Sequence, residues 1–423
     1  MAPSLDGPLQ HLVEQLWQPA LATGRARVRL DREAGEPSTS TWHTAEEYLV
    51  VPGATRASLL LPAGPARATS GALLNYRGLR RLLPNAQRAV LGLLARSGAP
   101  LPFPRLRVET RAGAEQASED ALLLPLGFLQ DVLGRPDLRA AIGVRTGANR
   151  KATLQLVDLE GQPVGFAKFA WNRSSTQGIE REASALSTPL DEGPARTPAL
   201  LARGEYLGRA FLVTAPLPET ARGVRSGVRP PTAQELYALT PLGRGARPAE
   251  TGQLQSLRAR LETLDPTPET AKLLGSAHRL LARVEQYADA VPVTTRWHGD
   301  LTPWNCARDA EGVLWTWDWE SSEPDAVAGL DAVHWHLSVG AEAGGRFDGS
   351  GLRSAVERAR PLVVAAGATH AGVDRVAAVY ALTLTERACA LASETGEWEE
   401  GWVLPEDLHD LLSQAGRGLE TSR

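Results

Sequence analysis

The residues of this 423-residue chain best suited to chemistry lie in one short stretch. It reads Trp297-His298-Gly299-Asp300-Leu301-Thr302-Pro303-Trp304-Asn305, then Leu314-Trp315-Thr316-Trp317-Asp318-Trp319-Glu320. An Asp and an Asn on one tight loop can face a common point. A second Asp on the adjoining strand can complete a set of oxygen ligands. Carboxylate and amide oxygens suit Mg²⁺, which keeps several of its waters. Phosphoryl transfer asks a protein for little more: a carboxylate near the attacking hydroxyl, and oxygens for a magnesium ion bridging the phosphates. Period-two alternation over Trp315 to Glu320 predicts the three indoles on one face of a strand and Thr316, Asp318 and Glu320 on the other.

These residues resemble the aminoglycoside phosphotransferase and choline kinase-like superfamily, whose catalytic loop reads His-Gly-Asp, four residues, Asn. A following strand there ends in Asp-Trp or Asp-Phe. The Asp-to-Asn spacing is also that of the protein-kinase catalytic loop. The resemblance implies that Asp300 accepts or orients the acceptor's hydroxyl proton, that Asn305 and Asp318 hold magnesium, and that His298 braces the loop. It also implies that Asp331, in Gly329-Leu330-Asp331-Ala332, ties the loop down. The donor would be ATP with Mg²⁺. The acceptor would be a hydroxyl of a small molecule: a sugar, an amino sugar, an aminoglycoside-like compound or an amino alcohol. Gly299 stands where protein kinases carry a loop arginine, and Trp319-Glu320 where they carry Phe-Gly, which favours a small-molecule acceptor. Two other readings stand beside this one: a nucleotide-binding scaffold of the same fold without turnover, and an unrelated metal hydrolase using Asp300, Asp318 and His298.

Such a loop needs elements to position it and a partner site for the nucleotide. Three candidate strands, Arg139 to Arg145, Ala152 to Asp158 and Val164 to Ala170, form a meander with turns at Thr146-Gly147-Ala148-Asn149 and Glu160-Gly161-Gln162. By the resemblance, a lysine on the third strand holds the nucleotide's α- and β-phosphates, and Lys168 falls there. It is one of only three lysines, with Lys151 and Lys272, in a chain otherwise basic through arginine. A lysine that persists under such a bias is needed as lysine more often than most, because an ammonium is no substitute for a planar guanidinium. Its expected carboxylate partner is Glu182 on the next helix, with Glu180 as runner-up. The resemblance places the phosphate loop at Gly147. It places the inter-lobe hinge after the strand Phe211 to Ala215, where the backbone around Ala215 to Leu217 would meet adenine.

The expected fold class is α+β, a two-lobed protein-kinase-like fold with an additional N-terminal α/β region. That region is residues 1–113, the antiparallel-sheet lobe 114–216 and the helical lobe 217–423. Gly113 to Ser118 reads as a linker. In the first region Ala26 to Leu30 alternates, and Arg56 to Leu61 is expected to pair with Glu47 to Val51 across the Pro52-Gly53 turn. Helical spacing recurs from Ala121 to Leu133, near Gly178 to Leu186, and over several segments after Gln253, with Thr294 to Glu320 as an interrupting strand-loop-strand.

Composition narrows the partners. The net charge of −4 gives no electrostatic case for nucleic acid or an anionic membrane surface. The start of the chain lacks the basic-then-apolar order of a secretory signal, no uninterrupted apolar run approaches a spanning length, and Cys306 and Cys389 make no metal spacing. A cytoplasmic, reducing location fits best. Tryptophans crowd the C-terminal half. Trp315, Trp317 and Trp319 are expected in the core, and Trp304, inside the loop, nearer a ligand. His334 and His336, two apart on a helix, point to different faces and make no metal pair.

Overall fold

The computed structural model describes residues 7–31, 42–75, 82–111, 120, 122–144, 152–223, 229–396, 398 and 402–421. The chain divides into two units: 1–183 with 198–217, and 184–197 with 218–423.

The first unit is built on one sheet, nine-stranded among the described residues. Its strands are β1 (Ala26–Asp31), β2 (Trp42–Val51), β3 (Leu59–Pro62), β4 (Arg105–Arg111), β5 (Arg139–Gly143), β6 (Thr153–Val157) and β7 (Pro163–Phe169). After the short β8 (Ala195–Arg196) of the second unit, β9 (Leu200–Tyr206) and β10 (Arg209–Thr214) complete it. The order across the sheet is β1-β4-β2-β3-β5-β6-β7-β10-β9. The expected pairing across Pro52-Gly53 is present, with Val51 opposite Leu59. The segment Ala54–Arg56 is a 3₁₀ turn, so β3 starts later than the alternation suggests.

Strands from both sides of residue 113 belong to this one sheet, because Leu60 of β3 pairs with Ile142 of β5. The linker expected at Gly113 to Ser118 lies outside the described residues. Alternation explains the joint core. Val50, Leu60, Leu106 and Val108 point to the same side as Ala140, Ile142, Leu154, Leu156, Ala167, Phe211 and Val213, and all lie in one buried cluster. Helix α1 (Gly7–Ala22) adds Leu9, Leu12, Leu16 and Trp17 to it.

On the other face, α2 (Ala66–Leu74) meets Leu61, Ala141 and Val157. There Gly71 lies so close to the β6–β7 turn that a Cβ would stand 2.1 Å from Gly161 O. Next come α3 (Leu82–Arg96), α4 (Pro125–Val132) and α5 (Arg173–Leu186), whose last turn belongs to the second unit. Glu46 ties three elements together by accepting from Trp17 Nε1 (3.0 Å), Tyr48 Oη (2.9 Å) and Leu126 N (3.1 Å). Complete burial still raises its pKa, against those bonds.

The second unit is mainly helical. It holds α6 (Ala233–Leu239), α7 (Gly252–Thr263), α8 (Ala271–Glu285), α9 (Leu330–Glu342), α10 (Gly349–Ala365), α11 (His370–Thr395) and α12 (Pro405–Thr421). Two small sheets accompany them. One runs β12 (Leu242–Ala246), β13 (Val291–Trp297), β16 (Glu323–Val327). The other runs β11 (Arg222–Gly223), β14 (Cys306–Arg308), β15 (Leu314–Thr316), β8. Helix α11 has the length and apolarity of a membrane span, yet its most apolar window is 78% buried within the protein, as a core helix is. The whole is the α+β, sheet-rich then helical organisation that the resemblance implies.

One expectation fails here. The strand stops at Thr316 instead of running to Glu320, because Asp318 adopts φ 69° and a 3₁₀ turn follows over Trp319–Ser321. Period-two alternation ends with it. Of the three indoles only Trp319 is fully buried, while Trp315 and Trp317 are half-buried.

Candidate active site

In the second unit, β13 delivers the loop His298 to Thr302, and a 3₁₀ turn Pro303–Asn305 leads into β14. The β14–β15 hairpin pairs Cys306 with Thr316, and Trp317 N donates to Asn305 O at 3.2 Å. Asn305 and Asp318, thirteen residues apart by number (318 − 305), therefore sit at the same end of one hairpin. Asp is among the few side chains that tolerate the left-handed backbone found at Asp318.

The loop is fixed by several independent contacts. Pairing of Trp297 with Glu323 brings the end of β13 beside β16, and α9 starts just beyond, after Gly329 at φ 96°. Asp331 in its first turn is buried and accepts from His298 N (2.8 Å) and Gly299 N (2.9 Å). His298 is itself fully buried. Its Nδ1 accepts from Asp300 N (3.2 Å), so its Nε2 carries the proton and donates to Trp317 O (3.1 Å). That bond joins the loop to the segment bearing Asp318. Burial lowers the His298 pKa, with partial opposition from Asp331, Asp300 and Asp318. With both ring nitrogens committed, His298 has no lone pair for a metal, which removes one element of the hydrolase reading.

Gly299 is required at its position. It adopts φ +82°, and a Cβ would meet Ser321 O at 2.2 Å. Arg387 on α11 spans that close approach, donating to Gly299 O (2.6 Å) and Ser321 O (3.2 Å). Its guanidinium lies 5.0 Å from the centroid of the Trp297 ring.

Asp300 is the exposed member of the group, its side chain 38% accessible. Asn305 Nδ2 donates to Asp300 Oδ2 (2.8 Å) and to Asp300 O (3.0 Å). His334 Nε2 lies 3.0 Å from Asp300 Oδ1, and its Nδ1 lies 2.9 Å from Tyr380 Oη. Burial drives the Tyr380 pKa upward, so the hydroxyl keeps its proton. Burial likewise pushes the Cys306 thiol up, in keeping with a packing role.

His334, Tyr380 and Arg387 have no place in the sequence motif. The spacing held a signal for the first: Asp331 and His334 are i, i+3 on one helix and so share a face. For Tyr380 and Arg387 the signal was weaker, a seven-residue separation on a helix apolar nearly all round.

The oxygen donors suit a hard divalent cation. Asp318 and Glu320 bring carboxylate oxygens within 4.8 Å of one another. Asn305 spends its Nδ2 on Asp300 and so has Oδ1 left for coordination. The set contains no sulfur and no imidazole, the chemistry that Mg²⁺ prefers.

In the first unit Lys168 Nζ lies 2.6 Å from Glu182 Oε2, with the side chains 12% and 2% accessible. Lys168 occupies an interior strand, opposite Thr153 of β6 and Leu212 of β10. Ile179 and Ala183 pack α5 onto Ala170 and Leu212, which turns Glu182 toward the sheet, whereas Glu180 is exposed. A lysine so little accessible needs its carboxylate. Ala215 N donates to Ala199 O at 2.8 Å, so only its carbonyl remains for a base. Leu217 is the last residue of this unit. Gly147 lies outside the described residues.

No family model matches the sequence, and no curated protein matches it. Solved structures do. LicA, a choline kinase from Streptococcus pneumoniae, in its AMP complex, shares 13% identity over 70% of this chain and 98% of its own, with a TM-score of 0.44. APH(2")-IIia, in complex with GDP and kanamycin, shares 13% over 68% of this chain and 93% of its own, with a TM-score of 0.39. A choline/ethanolamine kinase family protein from Mesorhizobium loti shares 14% over 73% and 92%, with a TM-score of 0.37.

Proposed function

We propose that this protein transfers the terminal phosphoryl group of ATP to a hydroxyl of a small molecule, such as a sugar, an amino sugar or an amino alcohol. The observation that carries the reading is the Asp300 carboxylate. It is partly exposed on a loop whose backbone is clamped by Asp331, and Asn305, the proposed metal ligand, bonds it directly. A carboxylate held in this way can orient an acceptor hydroxyl and take its proton as the new P–O bond forms. Asn305 and Asp318 are the residues to hold Mg²⁺, with Glu320 beside them. That ion supplies charge neutralisation on the phosphates. Lys168, oriented by Glu182, supplies a further cation for the nucleotide's phosphates. His298 and Arg387 keep the loop and the Asp318 segment in register.

The test is a screen of hydroxyl acceptors with MgATP, reading phosphorylated product. Transfer by the wild type and its loss in Asp300→Ala support the reading. An Asp300→Ala variant that transfers at the wild-type rate overturns it.

A further inference from the structure

The Asp300 carboxylate has two oxygens, and each is held from a different element. Asn305 takes Oδ2 from within the loop, whereas His334 takes Oδ1 from α9. We propose that His334, backed by Tyr380, is a positioning residue that fixes the rotamer of the catalytic carboxylate. The inference rests on the phosphotransferase reading.

The hydrogen-bond chain has a definite direction. An ionised carboxylate can only accept, so His334 carries its proton on Nε2 and donates it to Asp300 Oδ1. Nδ1 then presents a lone pair, and the Tyr380 hydroxyl donates to it. Tyr380 is 2% exposed on α11, and His334 Nδ1 is its one hydrogen-bond partner among the described residues. The carboxylate therefore selects the tautomer, and the Tyr380 hydroxyl, able to donate or accept, fills the remaining ring nitrogen and holds the imidazole plane toward Asp300. With the opposite tautomer a lone pair would face the carboxylate and push it away. Ser338 Oγ, one turn further along α9, stands 3.5 Å from Nε2, at the limit of a hydrogen bond.

Helix α9 thus acts twice on the same loop. Asp331 fixes the backbone at His298 and Gly299, and His334 one turn later fixes the side chain of the next residue. Asp300 is partly exposed and has two rotatable side-chain bonds, so without the second contact its carboxylate is held by Asn305 alone. A misplacement of about 1 Å in a reacting group can cost on the order of 100-fold in rate.

The test combines kinetics with nitrogen NMR of the histidine rings on the full-length protein. His334→Ala should lower kcat roughly 10- to 100-fold and leave the KM for ATP within about twofold. His334→Gln, whose amide nitrogen reaches the place of Nε2, should recover most of that loss, as a filler of the same volume without a donor (His334→Leu) should not. In the wild type the His334 ring should show the Nε2–H tautomer, assigned by the signal missing in His334→Gln. Wild-type kcat in His334→Ala, equal loss in the Gln and Leu variants, or an Nδ1–H tautomer in the wild type overturns the inference. Failure of the underlying reading looks different, because Asp300→Ala would then turn over like the wild type.

Discussion

At the scale of single residues, the loop owes its shape to a glycine that a longer side chain cannot replace. Gly299→Ala places a methyl group against Ser321 O at a left-handed φ, and should cost about 2 kcal/mol or more of stability, read by urea denaturation. Asp300→Ala leaves that backbone intact. It should lower phosphate transfer by about 10²- to 10⁴-fold while ATP binding, measured by calorimetry, stays within a few-fold. The loop was legible in the sequence because its members follow one another closely and each has a recognisable chemical duty. Asp331 was legible only through the resemblance, since an acid in the first turn of a helix by itself reads as a cap. Tyr380 was not, because a tyrosine in an apolar helix is more often plain core, and only packing of α11 beside α9 brings its hydroxyl to an imidazole.

At the scale of elements, β7 and α5 carry Lys168 and Glu182, the proposed contact to the nucleotide's phosphates. Lys168 and Glu182 could be paired from sequence because the resemblance asks for a lysine on the third strand and a carboxylate on the next helix, and that helix offers Glu182. Lys168→Ala should raise the KM for ATP by roughly 10- to 100-fold, the range of a charge-assisted bond, and Glu182→Gln should do so less. An unchanged KM in both would remove the lysine from nucleotide binding. Where element reading failed, at Trp315 to Glu320, it failed through one backbone angle. Alternation presumes extended residues, and the φ of Asp318 is set by tertiary context that no periodicity encodes.

At the scale of the whole molecule, the N-terminal stretch carried no chemical motif, and its sheet partners are distant in sequence, so its place was hidden. Its strands continue the sheet that bears Lys168, and α1 fills the same core. A fragment starting at residue 112 should therefore be insoluble or lack a cooperative thermal transition; a folded, ATP-stabilised fragment would contradict this. The second unit carries a pH signature. Burial, aided by Arg358, holds His336 at about 4, against roughly 6.5 in an unfolded chain. The unfolded chain takes up the proton first, so stability present above about pH 6.5 is lost as pH falls toward 4 and levels off below. His336→Leu should flatten the Tm against pH in that interval, with a remaining slope of the same sign from His298. The continuity of the sheet has one more consequence. Paired with β6 from Arg139 to Ile142 and with β3 at Ile142 and Gly143, the strand Arg139–Gly143 is an interior strand, and its amide protons lie within the sheet. They should trade with deuterium only when the entire first unit opens, at the slow pace of the β7 amides around Lys168, and not at the faster pace expected of a border strand.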